Sequence, residues 1–312
     1  MQRPIEQFAR LGINHHLLFP DSFTDAEFHE QTLPRALAID GFEVVDLFVA
    51  CEDAERGRRE VELIRASGKA VIYNFPLLIT GGLNPSSPDS AVRERTLAAA
   101  RPHAAAARAV GARKAVVASG RDPGEGARAE GRKAFASFLC ALCGEVGPGV
   151  RVLIEPFDRS IGKNLLIGPT HDAADVVRAV RAAGSANVGI LLDMGHLPLM
   201  EEGFRDALAA CGGLVEHVHL GSCVRGDPES PYYGDMHPPL GLPGGEHDED
   251  EVADFLAALL EAGYLSRKHA AKRTPREDMP TLTIEARPYP GVGEEESAHV
   301  MLEKVKRAWS RL

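Results

Sequence analysis

The sequence predicts an α/β protein of the (β/α)8-barrel class. Strand-type and helix-type segments alternate along the chain, eight strand-type segments can be recognised, and four of them end in an acid or a histidine. Such alternation is typical of parallel sheets, and polar residues at the carboxyl ends of strands mark the functional rim of a barrel. The length of 312 residues accommodates one barrel with longer loops, so a single domain over residues 1–312 is expected.

The eight candidate strands are short apolar runs rich in β-branched residues. They are expected at 13–19, 42–50, 70–75, 114–119, 150–156, 188–194, 214–221 and 281–286. Several of the helical patterns between them end in Gly, the usual residue at helix C-termini. An open doubly wound sheet would normally carry a Gly-rich phosphate-binding segment after its first strand. INHHLLFPDSF contains no such segment, which favours closure into a barrel.

Two connections are unusually long, namely residues 76–90 after the third strand and 222–247 after the seventh. Long loops without their own secondary structure are often binding segments or lids. Both would lie on the rim that carries the strand-end acids and histidines. We therefore expect them to help cover a site.

Composition narrows the classes of function. A formal net charge of −10 repels polyanions, so nucleic acid is not expected as a partner. No apolar run approaches the ~18 residues of a membrane span, and the first residues lack the apolar stretch of a secretory signal. Cys140 and Cys143 form a CxxC in an apolar helical pattern, which favours a buried helix face over a zinc or redox role. A cytoplasmic location is expected.

Four segments carry the residues that could perform chemistry. They are VLIEPFD with Glu155, ILLDMGH with Asp193 and His196, EHVHLGSCVR with His219 and Arg225, and LTIEARP with Glu285. Each begins as an apolar strand and ends in a polar residue. Carboxylates and an imidazole that converge on one rim form a site for a divalent metal ion.

Two further histidines have open interpretations. His217 and His219 point to the same side of their strand, and His219 is nearer the carboxyl end, so His219 is the better candidate ligand. His217 either orients neighbours from one layer deeper or is a satisfied interior histidine. Asp235 and His237, in GDMHPPLG, form either a polar turn stiffened by the following prolines or a further metal or substrate contact.

The two glutamates suggest a reaction. If a substrate lies between Glu155 and Glu285, one carboxylate can remove a carbon-bound proton and the other can return one. A metal ion would polarise the carbonyl and lower the cost of an enediolate. Arg225 and His196 could hold the oxygens on which negative charge develops.

These motifs resemble the xylose-isomerase-like TIM-barrel superfamily, in particular its ketose 3-epimerase branch, which is related to the endonuclease IV type. The resemblance covers residues 150–290 by motif and the whole chain by element order. It implies one divalent ion (Mn, Co, Mg or Zn) held by Glu155, Asp193, His219 and Glu285, with the two glutamates as the acid/base pair. The implied activity is a metal-dependent isomerase or epimerase of a sugar or polyol-derived ketone.

Other activities of the superfamily stay open. One alternative is a dehydratase of a cyclic polyol or shikimate-like substrate, and another is an apurinic endonuclease-like zinc hydrolase, whose DxH segment resembles Asp235 and His237. The endonuclease branch needs two more histidines after strands three and four, which here read NFPLL and VVASGRD. A third is a barrel that binds without turnover. The expected partner is a small sugar or polyol, and a homo-oligomer is compatible with the sequence.

Overall fold

Eight strands form one closed barrel in chain order, with the last strand beside the first. The computed structural model describes residues 3–266 and 274–312. The strands are β1 (Arg10–Asn14), β2 (Val44–Leu47), β3 (Ala70–Asn74), β4 (Lys114–Val117), β5 (Arg151–Ile154), β6 (Val188–Asp193), β7 (Val215–Leu220) and β8 (Thr281–Ile284). The predicted (β/α)8 fold class is confirmed.

Helices follow the strands along the described parts of the chain. They are α1 (His15–Leu18), α2 (Ala26–Ala38), α3 (Ala54–Ser67), α4 (Ser90–Ala109), α5 (Arg128–Val146), α6 (Thr170–Ala182), α7 (His196–Leu199), α8 (Phe204–Cys211), α9 (Glu249–Glu261) and α10 (Glu294–Ser310). Their limits follow ordinary capping rules. Asp53 accepts hydrogen bonds from the backbone N–H groups of the first turn of α3, and Gly68, at φ 69°, ends that helix.

The chain divides into two compact units. The first unit comprises Met1–Asp46 and Leu192–Leu312, and the second comprises Leu47–Leu191. The prediction of a single domain over residues 1–312 stays a prediction.

The parallel register of the first unit brings polar residues of different strands to one level. Asn14 of β1 lies opposite Asp46 of β2. His219 of β7 lies opposite Thr283 of β8, and β8 also pairs with β1. Strands thus place residues far apart in sequence next to each other in the barrel wall.

In the second unit, β4 pairs in parallel with both β3 and β5. The backbone N–H of Glu155, just after β5, donates to the carbonyl of Val117 at the end of β4. Glu155 therefore begins the loop at the carboxyl end of its strand, as predicted.

The first predicted strand is wrong in its position. Residues 13–19 were expected to be extended, but β1 ends at Asn14 and His15 begins α1. The Asn14 side chain accepts hydrogen bonds from the backbone N–H groups of His16 and Leu17, at 3.0 and 3.3 Å, and so starts the helix. Strand and helix are both buried here, and an apolar run does not distinguish the two. The other seven strands lie inside their predicted ranges and are shorter.

Two long connections occur where they were predicted. Residues 75–89 join β3 to α4, and residues 221–248 join β7 to α9, without a helix or a multi-residue strand. The second connection folds back on itself, because the N–H of Gly234 donates to the carbonyl of Val224 at 2.8 Å. Its segment 234–240 is largely buried, which distinguishes it from an ordinary surface loop.

The helices and the cysteines bear on two further predictions from the sequence. Among the described helices, none combines the length and apolar character needed to cross a bilayer. Cys143 is buried on α5 and Cys140 is half-buried, and both are free thiols. The cytoplasmic location stays a prediction.

Candidate metal centre

Three predicted ligands of the first unit lie together at the ends of their strands. Asp193 is the last residue of β6, His219 precedes the end of β7, and Glu285 follows β8. One ligand atom of each lies within 4.8 Å of the others. The Nδ1 atom of His219 is 2.5 Å from Oε2 of Glu285 and 3.8 Å from Oδ2 of Asp193. Two carboxylates and one imidazole thus face one buried point.

His219 is held in the tautomer that a metal ligand needs. Its Nε2 lies 2.9 Å from Oδ2 of Asp46. A carboxylate can only accept, so Nε2 carries the proton and the lone pair is on Nδ1, which faces Asp193 and Glu285. Histidines that bind metals generally donate their other N–H to a carboxylate or carbonyl in this way.

Asp46 is the centre of a fully buried polar network. Its Oδ2 also accepts from Nε2 of His217 at 3.0 Å, and its Oδ1 accepts from the Thr283 hydroxyl at 2.7 Å. Burial by itself would raise the pKa of Asp46, but His217 and His219 outweigh it and hold the pKa well below its usual range. Asp46 is therefore an anion inside the barrel.

His217 lies one step deeper in the barrel than His219 and has hydrogen-bond partners on both ring nitrogens. Its Nε2 donates to Asp46, so its Nδ1 accepts from the Thr281 hydroxyl at 2.6 Å. The side chain is 0% exposed. Both interpretations left open by the sequence fit this geometry: His217 is a satisfied interior histidine, and it shares Asp46 with His219.

Glu285 is buried and only half satisfied. Its Oε1 accepts from Nδ2 of Asn14 at 2.7 Å. No hydrogen bond of normal geometry from a described residue reaches its Oε2 or Oδ2 of Asp193. Burial raises the pKa of Glu285 to about 7, although His219 and His237 oppose the rise.

Those two carboxylate oxygens fit a bound cation. An unsatisfied buried polar atom costs about 1–3 kcal/mol, and a divalent ion would compensate the desolvation of both acids. Asp193 is fixed for this role by its other oxygen, since its Oδ1 accepts from the N–H of Gly195 at 2.6 Å. Burial opposes ionisation of Asp193, yet His196 and its neighbours hold its pKa well below the usual range.

A second cluster adjoins the first. Oδ1 of Asp235 accepts from Nε2 of His196 at 3.1 Å and faces Nε2 of His237 at 2.8 Å. His196 is also 3.4 Å from Oδ2 of Asp193. Burial lowers the pKa of His237, but Asp235 and Glu285 outweigh it, so the pKa is raised overall.

The second cluster bears on the open interpretation of Asp235 and His237. Both side chains are buried, and Nδ1 of His237 lies 3.9 Å from Oε2 of Glu285. His237 adopts φ +49°, in the left-handed region that residues other than Gly enter rarely and that His enters more readily than most. Asp235 and His237 therefore lie beside the candidate centre, and their contact with a metal or substrate stays a prediction.

The Arg225 side chain is hydrogen-bonded to other groups of the same chain. Its Nη1 donates to the carbonyl of Pro198 at 3.0 Å, and its Nε lies 3.3 Å from Oε1 of Glu246. The side chain is 39% exposed. Its predicted contact with a substrate stays a prediction.

Glu155 belongs to the second unit. It is buried, at 8% exposure, and its peptide N–H is hydrogen-bonded to β4. Its predicted place among the metal ligands stays a prediction.

Sequence reasoning missed Asp46 and Asn14. Asp46 left a signal, because it is an acid in the middle of the apolar run FEVVDLFVA. Asn14 left none, since an Asn at a strand end is commonplace.

The fold and this site define a closed α/β barrel with a candidate metal centre at the ends of its strands. The sequence model of the family described as "Xylose isomerase-like TIM barrel" matches residues 33–276, more than half of the chain. The protein belongs to this family, and the predicted resemblance is confirmed. The matched region ends before Glu285, so the position of Glu285 rests on the structure.

Solved structures with different activities share the fold over nearly the whole chain. A D-tagatose 3-epimerase-like protein superposes with a TM-score of 0.68 at 17% identity, covering 97% of this chain and 99% of that chain. AP endonuclease, family 2, from Brucella melitensis gives 0.60 at 19%, covering 95% and 98%. The IOLI protein with a binding zinc atom gives 0.63 at 14%, covering 97% of each. Comparison with curated proteins gives no match.

Proposed function

We propose that this protein is a metal-dependent isomerase or epimerase of a sugar or polyol-derived ketone. One observation carries the proposal: Asp46 holds Nε2 of His219, so that its Nδ1 faces the carboxylates of Asp193 and Glu285. The similarity in fold to a 3-epimerase-like protein supports the same reading.

The proposed ligands are Glu155, Asp193, His219 and Glu285. Glu155 joins the set because the carboxyl ends of barrel strands share one rim. Three carboxylates and one imidazole suit Mn²⁺, Co²⁺, Mg²⁺ or Zn²⁺. A divalent ion held there would polarise a carbonyl and a neighbouring hydroxyl of the substrate.

The protein's own residues would move the proton. Asn14 fixes Oε1 of Glu285, which leaves Oε2 as the oxygen directed to the site. In the proposed reaction, one glutamate removes a proton from the carbon beside the carbonyl, and the other returns one to the enediolate.

The second cluster is proposed to bind the substrate's hydroxyl groups. His196, Asp235 and His237 border the ligand atoms of Asp193 and Glu285. Arg225 could join only by exchanging Glu246 and the Pro198 carbonyl for substrate oxygens.

The test combines metal content with exchange of carbon-bound hydrogen. Gently purified protein is analysed for metals, then incubated in deuterated water with a panel of unphosphorylated ketoses. Deuterium at a carbon beside the carbonyl is expected, and it should disappear in Glu155→Gln. Glu261→Gln, on the exposed face of α9, is the matched control that keeps activity. A metal-loaded protein without exchange on any ketose contradicts the proposal.

A zinc-dependent phosphodiester hydrolase is the second candidate. It is favoured by one observation, the group of Asp193, His196 and His237, in which one ligand atom of each lies within 4.8 Å of the others and which could hold a further ion. Nicking of an abasic DNA duplex by the zinc-loaded protein, without ketose exchange, would establish it. Release of water with a conjugated, ultraviolet-absorbing product would instead indicate the dehydratase.

A further inference from the structure

Three buried histidines form a separate cluster after β1. His15 and His16 begin α1, and His29 lies in α2. Their side chains are at most 1% exposed, and one ring nitrogen of each lies within 4.8 Å of the others. None of them belongs to the candidate metal centre described above.

His15 has one ring nitrogen that no hydrogen bond from a described residue reaches. The Thr32 hydroxyl donates to the carbonyl of Phe28 at 2.7 Å, so it accepts from Nε2 of His15 at 2.9 Å. The lone pair of His15 is therefore on Nδ1, and no hydrogen bond from a described residue reaches that atom. A buried polar atom without a partner calls for an explanation such as a bound water or ion.

His16 is oriented by hydroxyl and backbone contacts. The Ser22 hydroxyl lies 3.2 Å from its Nδ1, and its backbone N–H donates to Oδ1 of Asn14. Burial, reinforced by the neighbouring imidazoles, lowers the pKa of both His15 and His16 well below the usual range. Neutral imidazole is the form that binds metals.

We infer that His15, His16 and His29 bind a divalent transition-metal ion of the zinc class. Three imidazole nitrogen ligands suit Zn²⁺, which accepts imidazole readily, and do not suit Mg²⁺ or Ca²⁺, which require oxygen ligands. Thr32 and Ser22 orient these rings as Asp46 orients His219. At Zn–N bonds of ~2.0–2.1 Å the nitrogens would lie about 3.3 Å apart, so the rings close on the ion.

The ion would be structural, because the cluster is sealed from solvent. Its effect would reach the metal centre through Asn14, which starts the helix of His15 and His16 and donates to Oε1 of Glu285. Fixing α1 therefore fixes the residue that holds Glu285.

Anomalous diffraction from crystals of the zinc-loaded full chain tests the inference directly. Data collected on both sides of the zinc edge should show one peak among the rings of His15, His16 and His29. A peak near His219 with none at the three histidines overturns this inference and leaves the proposed function standing. A peak at the three histidines with none near His219 supports this inference and contradicts the proposed metal centre.

Zinc stoichiometry in solution gives a second measurement. After removal of metal, zinc loading and dialysis, His29→Leu should retain one zinc equivalent fewer than the wild type. His103→Leu is the matched control, since His103 is a largely buried helical histidine bonded to Tyr73. Equal zinc content in the wild type and His29→Leu overturns the inference. If His29→Leu does not fold, the wild-type crystals decide.

Discussion

Two buried glutamates, one in each compact unit, have opposite surroundings. Glu60 is 3% exposed, and both of its oxygens are satisfied: Oε1 accepts from Arg56 and Oε2 from the N–H of Ala50, each at 2.8 Å. Glu285 is 7% exposed, and only its Oε1 accepts a normal hydrogen bond. A buried acid with every oxygen paired supports the fold, whereas one with a free oxygen among histidines is available for chemistry.

The largest effect is expected at the unsatisfied acid. Glu285→Gln keeps the hydrogen-bonding shape but removes the charge and the proton-accepting oxygen. Turnover should fall by ~10²–10⁴-fold, the usual contribution of a general base. Steady-state kinetics and circular dichroism on the same preparation measure this, and a folded variant with normal turnover would end the acid/base assignment.

The satisfied acid should show the reverse behaviour. Glu60→Gln breaks the ion pair with Arg56 and leaves the buried guanidinium with only the 4.0 Å contact to Glu52. The free energy of unfolding should fall by about 3 kcal/mol, while turnover of the folded fraction is retained. Urea denaturation measures the stability and steady-state kinetics measure kcat. Loss of turnover in fully folded Glu60→Gln would show that Glu60, like Glu285, is needed for activity.

An intermediate effect is expected at Asp46. Asp46→Asn weakens the hydrogen bond that fixes the tautomer of His219, so metal affinity should fall about 10–100-fold. Thr283→Val is the matched control, because it removes a bond to Oδ1 and leaves the contact between Oδ2 and His219. Metal titration followed by calorimetry distinguishes them, and equal affinity in Asp46→Asn and the wild type would remove Asp46 from the site.

The smallest effect separates the two roles of Asn14. Asn14→Ala and Asp25→Ala each remove the side chain that begins a helix, α1 or α2, and each should cost about 1 kcal/mol of stability. Only Asn14→Ala should also lower kcat, since it releases Oε1 of Glu285. Thermal melts and kinetics test the pair, and a similar kcat in both variants would leave Asn14 with a capping role alone.

The sequence predicted the barrel and seven of the strand positions, and it singled out Asp193, His219 and Glu285, which have ligand atoms close together at the strand ends. Candidate ligands such as Asp193 and Glu285 were visible because an apolar run turns polar at a single position. The partners of those ligands were not visible. Asp46 is hydrogen-bonded to His217, 171 positions away. The rings of His15 and His29 lie 5.0 Å apart because the chain turns after β1 and brings α2 back against α1. Local patterns do not carry such pairings.

The network around Asp46 also limits how this protein can change. One carboxylate binds His217, His219 and Thr283, and its partner on β8 is 237 positions away. Replacing Asp46, His217 or His219 alone leaves a buried polar partner unsatisfied, so changes at these positions are expected to be tolerated together and rejected one at a time. In a library that randomises Asp46, His217, His219 and Thr283 together, the sequences that still fold should show strong covariation among these four positions. The hydrogen-bond network would then constrain the choice of residue on three strands at once.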